Sequence, residues 1–134
     1  MRLSSKSEYA CLALIELAQN YSSGWMTIED ISKSQGIPKK YLENILLILN
    51  RAGYLTSRRG VHGGYKLSKD PSSISVAEIV RLMDGALAPV HSVSKYFYQH
   101  TPIERNKNLH ELLAQIRDYI SDRLENTTFK DLTK

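Results

Sequence analysis

One continuous stretch of sequence decides the fold: TIEDISKSQGIPKKYLENILLILNRAGYLTSRRGVHGGYKL, residues 27–67. Its opening segment, Thr27 to Asp30, is typical of a capping box that begins a short helix, and Gly36 ends that helix. Pro38 suits the first position of a second helix, whose apolar stripe continues to Gly53. Two helices joined by a four-residue turn predict a helix-turn-helix, which can place its second helix in a DNA major groove. The same turn also occurs in proteins that never contact DNA.

A β-hairpin is predicted directly after the helix-turn-helix. Residues 54–57 form a short strand, residues 58–64 (RRGVHGG) form a basic, glycine-rich tip, and residues 65–67 form the returning strand. The three glycines allow a tight turn and a close approach to another surface. Arg58 and Arg59 add two positive charges, which suit the negative potential of a narrow minor groove. A solvated hairpin with a charged edge is the alternative, and the preceding helix-turn-helix favours a DNA-binding wing.

Further helices are predicted on both sides of this stretch. Apolar residues at helical spacing indicate an amphipathic helix from Ser5 to about Asn20, and a second capping box at residues 75–78 opens a helix that ends at Gly85. A long amphipathic helix is predicted from about Asn108 to Glu125. Its apolar positions are Leu109, Leu112, Leu113, Ile116, Ile120 and Leu124. This face is larger than packing within one chain needs, so a partner helix from a second subunit is favoured.

The expected fold class is mainly α with a small β-wing: a winged helix-turn-helix domain plus a long C-terminal dimerisation helix. Residues 1–85 are assigned to the winged helix-turn-helix domain and residues 86–108 to a long loop. Residues 109–134 are assigned to the dimerisation helix and a C-terminal tail. Loops longer than about 15 residues are usually functional or disordered.

Composition and charge exclude several classes of protein. The chain has 134 residues, 42% of them hydrophobic and 24% charged, which is typical of one globular domain rather than a disordered segment. No apolar run approaches the roughly 18 residues of a membrane span, and the first residues lack a signal-peptide pattern, so we expect a cytoplasmic protein without membrane contact. The single cysteine, Cys11, excludes an intrachain disulfide. The entire net charge of +4 lies in residues 1–74, which suits a polyanion-binding surface.

Motifs spread over nearly the whole chain resemble a known family. They are Met1 to Lys6, Tyr9-Ala10, Ile31-Ser32, Tyr41-Leu42-Glu43, Gly53-Tyr54-Leu55, Arg59-Gly60, Gly63-Gly64-Tyr65 and Thr127 to Leu132. Together they resemble the Rrf2 family of bacterial winged-helix transcription regulators. Within the family the chain is most similar to the branch that regulates iron-sulfur cluster biogenesis, with the cysteine-metabolism branch a near alternative. The resemblance implies a homodimer, held by the long C-terminal helix, on a double-stranded DNA operator of two-fold symmetry.

The resemblance also implies DNA contacts for individual residues. Lys39, Lys40 and Tyr41 match the start of the DNA-contacting helix. Glu43 matches a position that reads a base edge, and a carboxylate there can accept a hydrogen bond from the cytosine amino group. Arg59 matches the wing arginine and is the strongest candidate. The other candidates are three wing residues and three residues near the expected phosphate path at the first helix: Arg58, Gly60, His62, Arg2, Ser4 and Lys6.

The loop of the iron-sulfur branch holds a two-iron, two-sulfur cluster through three cysteines and a histidine. In this chain His110 fits the histidine position, but Ser92, Thr101 and Lys107 stand at the cysteine positions. The chain as it stands is therefore expected to hold no cofactor, either as a natural cluster-free regulator or as a variant whose ligands were replaced. A metal site without cysteines has no i, i+4 histidine pair or carboxylate cluster to support it among His91, His100 and His110.

Two other classes of function compete with a DNA-binding regulator. The winged fold also serves as an interaction scaffold, so a regulatory protein partner docking on the loop or the C-terminal helix is an alternative. Salt dependence distinguishes the two, because phosphate contacts make affinity fall steeply with salt. An enzyme is not expected, since the sequence has no nucleophile elbow, phosphate loop or cysteine–histidine pair at a recognisable spacing.

Overall fold

The computed structural model describes residues 2–134, which form five α-helices and one small sheet. Helices α1 to α5 span Ser5–Gln19, Ile28–Gln35, Lys39–Arg51, Val76–Asp84 and Lys107–Glu125. Antiparallel strands β1 and β2 span Leu55–Arg58 and Gly64–Leu67. Single turns of 3-10 helix cover Pro71–Ser73, His91–Val93 and Pro102–Arg105. The predicted winged-helix fold class is confirmed. Across residues 2–134, none of the helices has both the length and the apolar character needed to cross a membrane.

Side-chain caps set the helix ends that the sequence predicted. The Thr27 hydroxyl accepts from the Asp30 N–H at 3.1 Å, and the Asp30 carboxylate accepts from the Thr27 N–H at 3.1 Å. A second capping box, between Ser75 and Glu78, opens α4. Gly36 ends α2 with a φ of +68°, a conformation that glycine adopts without strain. One detail differs from the prediction: Pro38 caps α3 rather than forming its first residue.

The core is centred on α1, which packs against both α3 and α4. The apolar faces of these three helices are buried, and α2 adds one residue to them. The largest fully buried side chains in this core include Leu14, Ile31, Leu42, Leu46, Leu49 and Ile79. Because these helices bury one face each, the polar face of α3 and the β1–β2 wing are left on the surface.

The end of the chain returns to this core. Phe129 is fully buried, and its N–H donates to the Ile74 carbonyl at 3.0 Å. The Val76 N–H donates to the Thr127 carbonyl at 2.9 Å, so the tail pairs with the segment that opens α4. No local sequence pattern predicts this pairing, which ties the C-terminal end of α5 to the winged half of the molecule.

The loop between α4 and α5 ends earlier than predicted. Asn106 caps α5 by accepting from the Leu109 N–H at 3.0 Å, so the helix begins at Lys107 instead of Asn108. The loop therefore comprises residues 85–106 and contains two of the 3-10 turns. The predicted C-terminal end of α5, at Glu125, is confirmed.

Candidate nucleic-acid interface

The turn between α2 and α3 presents the start of α3 to solvent. Ile37 is buried beneath the turn, and the Ser32 hydroxyl donates to the Ile37 carbonyl at 2.6 Å. One face of α3 is buried, and its other face offers charged, aromatic and amide side chains. The exposed residues of its first two turns are Lys39, Lys40, Tyr41, Glu43 and Asn44. The structure thus brings all four of the candidates predicted on this helix to one exposed segment.

A groove between α1 and the start of α3 collects donors suited to phosphate. The Tyr41 ring lies 6.2 Å from the Tyr9 ring of α1, and Lys40 Nζ lies 4.9 Å from the centre of the Tyr41 ring. Lys6 and Asn44 line the same groove. Ammonium, phenol and amide groups are common donors to DNA phosphates. Tyr9 and Asn44 were not predicted as site residues, although Asn44 shares a helix face with Tyr41 at i, i+3 spacing.

An ion pair joins α2 to the first residue of α3. Lys39 Nζ lies 2.7 Å from Glu29 Oε1, and both side chains are exposed, at 52% and 60%. The hydrogen bond from Lys39 lowers the pKa of the Glu29 carboxyl, and the same bond raises the pKa of Lys39. Lys39 therefore reaches the surface already paired with a carboxylate. Glu29 was not among the predicted site residues.

The wing is a two-stranded hairpin that rests on the segment before α2. Arg58 pairs with Gly64 at the tip end of the sheet, and Met26 pairs with Tyr65 through N–H to carbonyl bonds of 2.9 and 2.7 Å. A side chain on Gly64 would collide with the Met26 carbonyl, and one on Gly63 would collide with the Arg58 carbonyl. These two glycines thus serve close approach within the protein itself, whereas Gly60, with a φ of +100°, turns the tip.

The two wing arginines have different environments. The Arg58 guanidinium lies 4.5 Å from the Trp25 ring centre and donates from Nε to the His62 carbonyl at 3.0 Å. Lys66 Nζ lies 4.9 Å from the same ring. Arg59 is exposed at the tip, and within residues 2–134 its guanidinium has neither an ion pair nor an intramolecular hydrogen bond. Arg58 therefore shapes the wing, while Arg59 remains available to a ligand. The sequence did not predict the role of Trp25.

The three N-terminal candidates also divide by environment. The Ser4 hydroxyl accepts from the Ser7 N–H at 3.1 Å and donates to the Asp84 carboxylate, which also accepts from the Ser4 N–H at 3.1 Å. Burial would raise the pKa of Asp84, but these bonds and the nearby Lys6 charge hold that pKa below its ordinary value. Ser4 thus joins α1 to the end of α4. Arg2 and Lys6 are exposed on the same side.

Two of the four positions matched to cluster ligands are in contact. The Ser92 hydroxyl is buried and lies 2.7 Å from the Thr101 hydroxyl, while Lys107 and His110 stand in the first turn of α5. Iron in such clusters takes thiolate and imidazole ligands, and an ammonium has no lone pair to offer. The only cysteine, Cys11, lies in α1, and burial raises the pKa of its thiol to about 11. This donor set does not fit an iron-sulfur cluster.

Several other polar groups of the loop are bonded to one another. Glu104 accepts from the Tyr98 hydroxyl at 2.5 Å and is bonded to His100 Nδ1, and these contacts lower the pKa of its carboxyl. His91 Nδ1 lies 3.4 Å from the Phe97 carbonyl. In the part of the chain that the structure describes, residues 2–134, no three His, Cys, Asp or Glu side chains come close enough to hold a metal ion.

Helix α5 leaves much of its apolar face uncovered. Leu109 is 42% exposed and Leu112 is 52% exposed, and Tyr119 is also well exposed. Among the residues of α5, Ser121 alone is buried. Apolar side chains repeated along one face of a helix are ordinarily covered in the functional assembly.

The helix-turn-helix, the adjoining hairpin and the basic face define a winged-helix protein. The family model described as "Iron-dependent Transcriptional regulator" matches residues 3–134. The chain therefore belongs to the Rrf2 family, as its motifs predicted.

Named relatives match over almost the whole chain. The HTH-type transcriptional regulator CymR of Bacillus subtilis (strain 168) is 32% identical over 132 residues, which cover 98% of this chain and 89% of CymR. The HTH-type transcriptional regulator IscR of Escherichia coli O1:K1 / APEC is 36% identical over 133 residues, which cover 98% of this chain and 80% of IscR. These names confirm a DNA-binding transcription regulator rather than an enzyme.

Solved structures show the same architecture. CymR (YrzC), the global cysteine regulator of B. subtilis, superimposes with a TM-score of 0.80 at 31% identity, covering 98% of this chain and 95% of that one. T. potens IscR superimposes with a TM-score of 0.76 at 27% identity, covering 98% of this chain and 85% of that one. The fold is thus shared with both branches that the sequence resembles.

Proposed function

We propose that the protein binds a two-fold symmetric operator, with α3 in the major groove and the wing in the neighbouring minor groove of each half-site. The observation that carries this proposal is the unpaired Arg59 guanidinium at the wing tip, beside the exposed start of α3. An arginine suits the negative potential of a narrow minor groove. Lys40 and Tyr41 would contact phosphates, and Glu43 would accept a hydrogen bond from a cytosine amino group.

The proposed active form is a homodimer joined through α5. The exposed apolar side chains of this helix supply the contact surface, and a two-fold interface uses the same patch on both subunits. An operator with two half-sites requires two copies of α3 and of the wing, which a two-fold dimer supplies.

We further propose that the target genes serve iron-sulfur cluster biogenesis and that the protein acts in a cluster-free form. The likeness to IscR supports the first part, and the Ser92, Thr101 and Lys107 side chains support the second. A cluster-independent regulator of cysteine or sulfur metabolism, controlled by a docked partner protein, is the second candidate. The likeness to CymR favours it, and the exposed side chains of Tyr96, Phe97 and Tyr98 offer a surface to such a partner.

Selection of genomic DNA fragments by the purified protein tests both candidates. At a fixed, near-physiological salt concentration, retained fragments should share one two-fold symmetric motif, and the neighbouring genes would identify iron-sulfur assembly or sulfur metabolism. Affinity for a retained fragment should fall steeply with salt because several phosphate contacts release counterions. Absence of enrichment would contradict autonomous operator binding and favour control by a docked partner.

A further inference from the structure

The DNA-facing surface contains a carboxylate, Glu29, in addition to the base-reading candidate Glu43 on α3. Glu29 Oε1 lies 2.7 Å from Lys39 Nζ, at the first residue of α3. Glu29 also lines the groove between α2 and the wing, together with Arg58 and Arg59. A single acidic side chain therefore stands between the two elements proposed to enter the DNA grooves.

Its position in the first turn of α2 gives Glu29 a modest helix-stabilising role that does not depend on pairing with Lys39. Acidic residues favour the first turn of a helix, but Thr27 and Asp30 already form a complete capping box there. The Glu29–Lys39 pair is more than half exposed on both sides, and exposed ion pairs contribute little to folding. The effect of the pair is therefore expected mainly on a ligand that approaches Lys39.

For DNA, the carboxylate turns the Lys39 cation into an ion pair with no net charge. Binding to arbitrary sequence depends almost entirely on phosphate contacts, in which each cation that meets a phosphate releases counterions. Lys39 must break or share its ion pair with Glu29 before its ammonium can neutralise a phosphate. On the operator, the base contacts of α3 fix the position of the protein along the DNA. The Glu29–Lys39 pair therefore has to fit only one arrangement of phosphates.

We infer that Glu29 is a specificity-determining residue that weakens binding to arbitrary DNA more than binding to the operator. This inference rests on the proposed function and adds Glu29 to the residues that determine DNA recognition. Freeing one cation steepens the dependence of log affinity on log salt by about 0.9. If the proteins with and without the Glu29 charge bind DNA equally at about 1 M salt, the protein without it should bind about eightfold more tightly at about 0.1 M.

The experiment measures the binding of wild type, Glu29→Gln and Glu111→Gln to two DNA probes across a salt series. The probes are a mixed-sequence duplex and a fragment retained in the genomic selection. Glu111→Gln is the matched control, because it removes the same charge from an exposed position on α5 opposite the apolar face. Circular dichroism and thermal unfolding establish that each variant is folded.

Glu29→Gln should bind the mixed-sequence duplex about eightfold more tightly at about 0.1 M salt, with a salt slope steeper by about 0.9. The retained fragment should gain less, so the specificity ratio falls, and Glu111→Gln should match wild type. Adding Lys39→Met to Glu29→Gln should abolish the gain. If wild type binds DNA but Glu29→Gln behaves like Glu111→Gln, the inference alone is wrong; if wild type binds neither probe, the proposed function fails and the inference fails with it.

Discussion

Replacing Leu112 with glutamine should weaken the proposed dimer by about 10- to 100-fold. Complete burial of a leucine side chain contributes about 1.5 to 3 kcal/mol, and 52% of Leu112 is exposed in the single chain. Covering that half contributes about 0.8 to 1.5 kcal/mol per subunit, or about 1.5 to 3 kcal/mol for the two copies at a two-fold interface. Since about 1.4 kcal/mol corresponds to a factor of ten, the dimer Kd should rise by the stated amount.

Sedimentation velocity over a dilution series measures this dimer Kd directly. Leucine and glutamine have similar helix propensities, so Leu112→Gln should leave α5 itself intact. Glu111→Gln serves as the control on the opposite side of the same helix and should dimerise like wild type. An unchanged Kd for Leu112→Gln would show that the apolar face of α5 is not the dimer interface.

Two further predictions concern stability. Trp25→Ala removes the ring that contacts Arg58 and Lys66, so urea unfolding should show a loss of about 1 to 2 kcal/mol from two cation–π contacts. Trp25→Phe keeps an aromatic ring and should lose less stability. An unchanged stability of Trp25→Ala would refute the role of Trp25 in supporting the wing. Glu125 accepts from Arg81 at 2.7 Å, which lowers the pKa of its carboxyl. The unfolded chain therefore binds this proton first as pH falls, and the stabilisation present at neutral pH is lost in acid. The stability difference between wild type and Glu125→Gln should accordingly shrink from about pH 6 to about pH 3, and a constant difference would contradict it.

The sequence predicted best what short-range chemistry determines. The capping boxes at Thr27 and Ser75, the left-handed turn at Gly36 and the glycine-rich hairpin each depend on residues within a few positions of one another. Apolar spacing then assigned the buried faces of α1, α3 and α4. These local features are enough to locate the exposed start of α3 and the tip of the wing.

Contacts between residues far apart in the chain could not be predicted in this way. The Trp25 ring meets Arg58 only once the hairpin folds back, and Glu29 meets Lys39 only across the turn. The burial of Phe129 likewise depends on the tail returning past α4. No local pattern distinguishes Arg58 from Arg59, although one supports the wing and the other extends from its tip.

The chemistry of the loop bears on the proposed cluster-free form. Where the resemblance places thiolates, a hydrogen bond between the Ser92 and Thr101 hydroxyls joins the two sides of the loop. Neutral hydroxyls bond to each other without iron, which supports that proposal. The proposed regulator would accordingly bind its operator without responding to the loss of a cluster.

The most direct test of DNA recognition through the wing compares wild type, Arg59→Ala and Arg105→Ala on a retained genomic fragment at one near-physiological salt concentration. Fluorescence anisotropy should show affinity lower by about tenfold or more for Arg59→Ala, as expected when one base-groove arginine is lost. Arg105→Ala, which removes an exposed arginine from the loop, should bind like wild type. Equal affinity of all three folded, dimeric proteins would contradict a DNA-binding role for the wing.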